Sequence, residues 1–189
     1  KIDDLYKDGL QREKFIPFIT LIKKNSIHKK LEIRHDYRKL NEKKLQRIFY
    51  PLNEKTNFKI NQSFREISKG KSLQKVDLLI KGRKFQISNF YEGFVLFYFA
   101  ELCDANVGAE DYINISKKCR FITILNVPNF SEDNSNQQQR FITLIDILYE
   151  KKILLIITAE NDIDKITSSK KLEKLFKRTI SRLHELSSH

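Results

Sequence analysis

The sequence contains no methionine and no tryptophan, only two cysteines, three prolines and five glycines in 189 residues. Each shortage excludes something. A chain without Met lacks its own translation start, so a fragment or processed product of a longer protein is expected. Cys103 and Cys119 have neither metal-ligand spacing nor the numbers of a disulfide framework, which points to a reducing, cytoplasmic compartment. Scarce Gly and Pro argue against a linker-rich or disordered chain. No apolar run approaches the ~18 residues a transmembrane helix needs, and the first twenty residues carry no signal-peptide pattern. The motifs H-E-x-x-H, G-x-S-x-G and G-x-G-x-x-G are all absent, which removes the commonest signatures of zinc, serine and dinucleotide chemistry.

What is present is apolar and basic. Hydrophobic residues make up 40% of the chain, with 14 Phe and 7 Tyr, enough for a real core. The net charge is +12 and unevenly spread: residues 1–80 hold 20 Lys+Arg against 10 Asp+Glu, residues 81–189 hold 16 against 14. A basic half with aromatics such as Phe49, Tyr50 and Phe58 is one reading, a nucleic-acid-binding module. The competing reading, weighted more heavily, is codon bias that coats solvated faces with lysine. A non-catalytic protein-interaction domain is a third.

Periodicity orders the chain. Residues 13–24 (EKFIPFITLIKK) have helical apolar spacing, with Pro17 early enough to be tolerated. LEIRH (31–35) reads as a short strand, and helices are expected over about 41–48 and 61–69. VDLLIKGRKFQIS (76–88) reads as a β-hairpin turning at Gly82, and FVLFYF (94–99) as a strand. AEDYINISKKC (109–119) and SNQQQRFITLIDILYEKK (135–152) read as helices. RFITILNV (120–127) and KILLIITA (152–159) read as buried strands, and a last helix covers about 172–186. Apolar strands separated by helices indicate an α/β protein with a parallel sheet covered on both faces. The expected divisions are 1–50, an α/β segment; 51–100, a β-rich insert; and 101–189, where the α/β pattern resumes.

Three stretches bear on chemistry. Gly70-Lys71-Ser72 ends like a phosphate-binding loop. The glycine required five residues earlier is Arg65, and no buried strand precedes it, so a basic turn at a helix end, with Gly70 as cap, is expected. Arg12 stands where a helix starts after Gly9. Arg178 and Arg182 are four apart and share a helix face, where they form either an anion clamp or a surface pair with nearby Glu. Glu101, Asp104, Glu110 and Asp111 fit helix ends better than a metal site, and Asp146 is expected to be solvated rather than catalytic.

Five segments in order resemble the AFG-like ATPase family, in the AAA+ branch of P-loop NTPases. They are DDLYKDGLQREKFIPFI (3–19), HDYRKL (35–40), FAELCDANVGAEDY (99–112), RFITLIDILYEKKILLIITAE (140–160) and FKRTISRLHEL (176–186). Together they span nearly the whole chain. In the family the Walker A loop, the Walker B acidic pair and the sensor-one Asn precede the segment that Lys1 begins. The resemblance implies the sheet of an AAA+-type P-loop NTPase with a β-hairpin-containing insert and a C-terminal helix. It implies a parent that hydrolyses ATP with Mg²⁺, bound mainly by upstream segments, while the isolated chain is inactive. It further implies a homo-oligomer acting on protein partners, in cell division or protein quality control, in the bacterial cytoplasm or peripherally at the inner membrane. By the same resemblance Arg12 is the candidate arginine finger, and Arg38, Arg178 and Arg182 are candidates for nucleotide sensing or for positioning the terminal helix.

Overall fold

The computed structural model describes residues 12–26 and 47–188. The chain divides into two compact units, Lys1–Lys43 and Lys44–His189. In the first, helix α1 (Arg12–Asn25) runs through Pro17. Its Phe15 and Phe18 rings lie 5.1 Å apart, the three-residue spacing that brings helix side chains together. The strand expected over 31–35, Arg38 and most of the helix expected over about 41–48 lie outside the described residues. Where the second unit comes into view, Ile48–Phe49 is a strand, β1, so the end of that expected helix is corrected: β1 is held in the sheet beside the last strand.

The second unit is a mixed α/β fold on one six-stranded sheet. After β1 come α2 (Glu54–Ile67), β2 (Gln74–Ile80), β3 (Arg83–Tyr91), β4 (Phe94–Tyr98), α3 (Phe99–Cys103), α4 (Ala109–Lys118), β5 (Phe121–Val127), α5 (Ser135–Glu150), β6 (Leu154–Ala159) and α6 (Glu173–Ser188). The sheet order is β1-β6-β5-β4-β3-β2. Strands β1, β6, β5 and β4 are parallel, while β3 runs antiparallel to both of its neighbours, β4 and β2. The sheet is therefore not parallel throughout, because two tight turns join β2, β3 and β4 directly. Lys81 and Gly82 have φ of 48° and 79°, and Glu92 and Gly93 have 51° and 95°. Paired positive φ is what a two-residue hairpin needs to match strand twist.

Alternation along β5 and β6 builds two cores. Ile122, Ile124, Leu155 and Ile157 face the larger one, under α3, α4, α5 and α6; Phe121, Leu125 and Ile156 face a smaller one with Phe49 and Ile60. Helix α2 starts earlier than its apolar periodicity indicates, because Asn53 caps it by accepting the Thr56 N–H at 2.9 Å. Phe99, Phe130, Phe141 and Phe176 pack with ring centroids 5.4–5.9 Å apart, joining α3, α5 and α6 in one aromatic knot. Each such ring buries enough area to contribute about 1.5–3 kcal/mol. Phe99 is the first residue of α3 rather than the last of β4, so strand passes into helix without a linker.

Candidate functional site

Helix α6 buries Phe176, Thr179, Leu183 and Leu186, the stripe of a helix lying on a neighbour. The neighbour is α5, which buries Phe141, Leu144, Ile145 and Leu148. Arg178 and Arg182 flank that seam, one turn apart on α6. Both reach the same carboxylate on α5: Arg178 Nη2 donates to Asp146 Oδ2 at 2.8 Å, and Arg182 Nη1 donates to Asp146 Oδ1. Tyr149, one turn on from Asp146, carries the Arg182 guanidinium over its ring at 4.9 Å and donates its hydroxyl to Glu185 at 2.7 Å. That hydrogen bond, with the negative charge of Glu185, raises the Tyr149 pKa and keeps the phenol protonated.

Four charges and one ring thus close a latch between α5 and α6. The anion between the two arginines is the chain's own Asp146, which is three-quarters buried rather than solvated. The arginines differ in what they have left to offer. The Arg182 side chain is 20% exposed, committed to Asp146 and Tyr149, whereas Arg178 is 52% exposed. Holding α6 in place suits Arg182; Arg178 keeps surface with which to meet an external anion as well. Arg12 is the first residue of α1, and Arg38 lies outside the described residues.

Gly70-Lys71-Ser72 follows α2 and precedes β2. This is helix, turn, strand, the reverse of the strand, loop, helix order that aims backbone amides at a phosphate. Gly70 has φ of 78° and closes the turn. Lys71 Nζ sits 4.6 Å over the Phe94 ring, and Phe94 stacks on Phe121 at 5.8 Å, so the lysine roofs one end of the sheet. These residues do not fit a triphosphate cradle. Among the described residues, no group of three His, Cys, Asp or Glu side chains is placed to hold a metal ion.

The acidic residues at 101–111 serve helix ends. Glu101 accepts the Tyr98 N–H at 2.6 Å at the start of α3, and Asp111 accepts the Gly108 N–H at 2.8 Å at the start of α4. Buried Asp111 also takes Arg83 at 2.5 Å. Arg140 of α5 donates to the Cys103 and Ala105 carbonyls at 2.8 and 3.1 Å, satisfying the C-terminal end of α3. Tyr112 donates to the Leu102 carbonyl at 2.7 Å. Burial raises both thiols, Cys119 to about 12, so neither is a nucleophile.

Phe49, Tyr50 and Phe58 do not form a stacking platform. Phe49 is 3% exposed, in the smaller core, and the Tyr50 hydroxyl is engaged with Asp162 at 2.7 Å. Only Phe58 of the three is largely exposed with no such engagement. Sequence reasoning assigns Asp146 to solvent and misses Tyr149 and Glu185. Asp146 and Tyr149 stand together in the family-like segment at 140–160, and that shared placement is the available signal.

Comparison with known proteins bears on the whole chain. The AFG1-like ATPase family matches residues 2–189. The cell division protein ZapE of Escherichia coli K12 is 27% identical over 186 residues, covering 98% of this chain and 50% of that protein. Lactation elevated protein 1 homolog B of Danio rerio is 30% identical over 167 residues, 87% of this chain and 33% of that one. An uncharacterized Schizosaccharomyces pombe protein, C115.02c, is 29% identical over 86% of this chain and 36% of its own length. The chain spans about half the length of ZapE and about a third of the two eukaryotic relatives. No solved structure matches. No helix among the described residues is long and apolar enough to cross a membrane. With a match that runs from residue 2 to residue 189, the chain belongs to the AFG1-like ATPase family.

Proposed function

We propose that this chain is the C-terminal part of an oligomeric ATP hydrolase that acts on protein partners, in cell division or protein quality control. The observation that carries the reading is the family match over residues 2–189. Because Gly70-Lys71-Ser72 does not fit a phosphate cradle, Mg·ATP is assigned mainly to family segments outside Lys1–His189. The contribution of this chain is cationic and structural. Arg12, at the start of α1, offers a guanidinium to the nucleotide of a neighbouring subunit, where such a group can be worth ~10³–10⁵ in rate. Arg182 fixes α6 to α5 through Asp146. Arg178, more exposed, either shares that task or senses nucleotide, and Arg38 is kept as a further sensing candidate. A cell-division partner is drawn from the name of the ZapE relative. A bacterial cytoplasmic location, or a peripheral one at the inner membrane, goes with it.

The test is turnover by the complete parent protein. Arg12→Ala should lower ATP turnover at least tenfold with nucleotide affinity nearly unchanged, since a finger acts on charge that develops in the transition state. Mixing this variant with a Walker A variant should restore part of the activity, because some interfaces then join an intact pocket to an intact arginine. Full turnover by Arg12→Ala would overturn the finger role.

A further inference from the structure

Strand β2 lies at one edge of the sheet. Among the described residues, no strand pairs with its outer side. Edge strands usually bear charges that discourage such pairing, and the charges here carry more information than that. We infer that β2 is a self-complementary dimerisation edge, pairing antiparallel with β2 of a second copy in a register centred on Val76.

The backbone sets which residues can bond outward. The two-residue hairpin closes on the Ile80–Arg83 pair, followed by Leu78–Phe85 and Val76–Ile87. In such a hairpin the closing pair exchanges both hydrogen bonds, and every second pair after it does the same. Val76, Leu78 and Ile80 are thereby committed to β3. Asp77 and Leu79 turn their N–H and C=O groups to the open side, and Lys75 follows them in sequence parity at the register shift between Gln74 and Val76.

The side chains set the register. Leu78 and Ile80 are buried and Val76 is half-buried, while Lys75, Asp77 and Leu79 are exposed. Leu79 is 81% exposed, and Leu73, just before the strand, is 58% exposed. Centring two strands on Val76 places Lys75 opposite Asp77 of the second copy, twice by symmetry, and Leu73 opposite Leu79, also twice. The two Lys75–Asp77 pairs fall within the strand, and Leu73 just precedes it. Three other registers of the same parity set like charges opposite one another. Centring on Asp77 sets the two Asp77 carboxylates face to face, and centring on Lys75 does so for the two lysines. Centring on Leu78 brings Lys75 against Lys81. Like charges directly opposite are destabilising, and opposite ones are favourable. Within its own chain Asp77 takes Lys84 Nζ at 2.9 Å and Gln86 Nε2 at 3.0 Å from β3, so Lys75 of the second copy would add a further cation to that pair. The contact is isologous and closes at two copies.

Sedimentation velocity on the full chain tests the inference. Wild type should show a concentration-dependent species of twice the mass shown by Asp77→Lys or by Lys75→Asp. Each single reversal should weaken the pairing at least tenfold, because both symmetric pairs become repulsive. Mixing the two variants should restore the doubled species, since one chain then presents two carboxylates along its edge and the other presents two ammonium groups opposite them. Far-UV circular dichroism checks that each variant is folded. Equal masses for wild type and both variants would overturn the inference, and so would folded variants that do not recombine.

Discussion

Asp146→Ala tests whether the arginines of α6 hold the terminal helix. The side chain is one-quarter exposed and takes one bond from each guanidinium. A charge-assisted hydrogen bond contributes about 1.5–3 kcal/mol when shielded from water and about 0.2–1 when exposed. Arg178, half in solvent, belongs to the second class at ~0.5 kcal/mol. Arg182, 20% exposed, belongs near the bottom of the first at ~1.5 kcal/mol. Removing Asp146 breaks both and leaves Arg182 short of its carboxylate, so the expected cost is about 2 kcal/mol. At ~2–4 °C per kcal/mol for a chain of this size, the melting midpoint should fall by roughly 4–8 °C.

The assay is urea and thermal unfolding followed by circular dichroism, with double-mutant cycles. Coupling between Asp146 and Arg182 should be about 1 kcal/mol or more, and between Asp146 and Arg178 below about 0.5 kcal/mol. Raising salt from 0.1 to 1 M shortens the screening length from about 10 to 3 Å, and should erase the smaller coupling first. Equal couplings, or a cost for Asp146→Ala under about 0.5 kcal/mol, would refute the latch. In the proposed parent ATPase, Asp146→Ala should resemble Arg182→Ala in turnover, because each change breaks the same contact between α5 and α6.

Two further outcomes follow from the packing. Arg140→Ala should cost about 2 kcal/mol, since it strips the carbonyls of Cys103 and Ala105 of their shared donor and leaves the end of α3 unsatisfied; unfolding in urea measures it. Cys103 and Cys119 should resist a thiol reagent such as Ellman's reagent at pH 8 until the chain unfolds. The same shift makes stability depend on pH: the folded Cys119 thiol holds its proton up to about 12, while an unfolded one releases it near 8.5. Stability from this group is complete below about pH 8.5 and declines as pH rises toward 12, which alkaline melts of wild type and Cys119→Ala would compare.

Much of this fold can be read along the chain, because the signals for helices, strands and tight turns are local. The helix at 109–118, the buried strands at 121–127 and 154–159 and the hairpin at Gly82 follow from spacing alone. Strand β1 does not, since two residues carry no period and its pairing with Ile157 and Thr158 is more than a hundred positions away. Nor does the burial of Phe49, which depends on that pairing. The candidate site divides in the same way. A four-residue spacing puts Arg178 and Arg182 on one face, but nothing local says that a carboxylate on α5, 32 positions earlier, is what they meet.

The family-like segments supply the missing link when taken in pairs. Arg140 opens the segment at 140–160 and binds the carbonyls that end the Phe99–Cys103 helix. Asp146 and Tyr149 of the same segment bind Arg178 and Arg182 of the last one. Segments that look unrelated along the chain therefore meet on one helix, α5, held toward α3 near its start and toward α6 near its end. A change at either contact bears on that helix, whose buried face carries Phe141, Leu144, Ile145 and Leu148 in a close-packed interior. This joins the arginines of α6 to the turn after α3, and makes α5, rather than any single arginine, the element on which both contacts depend.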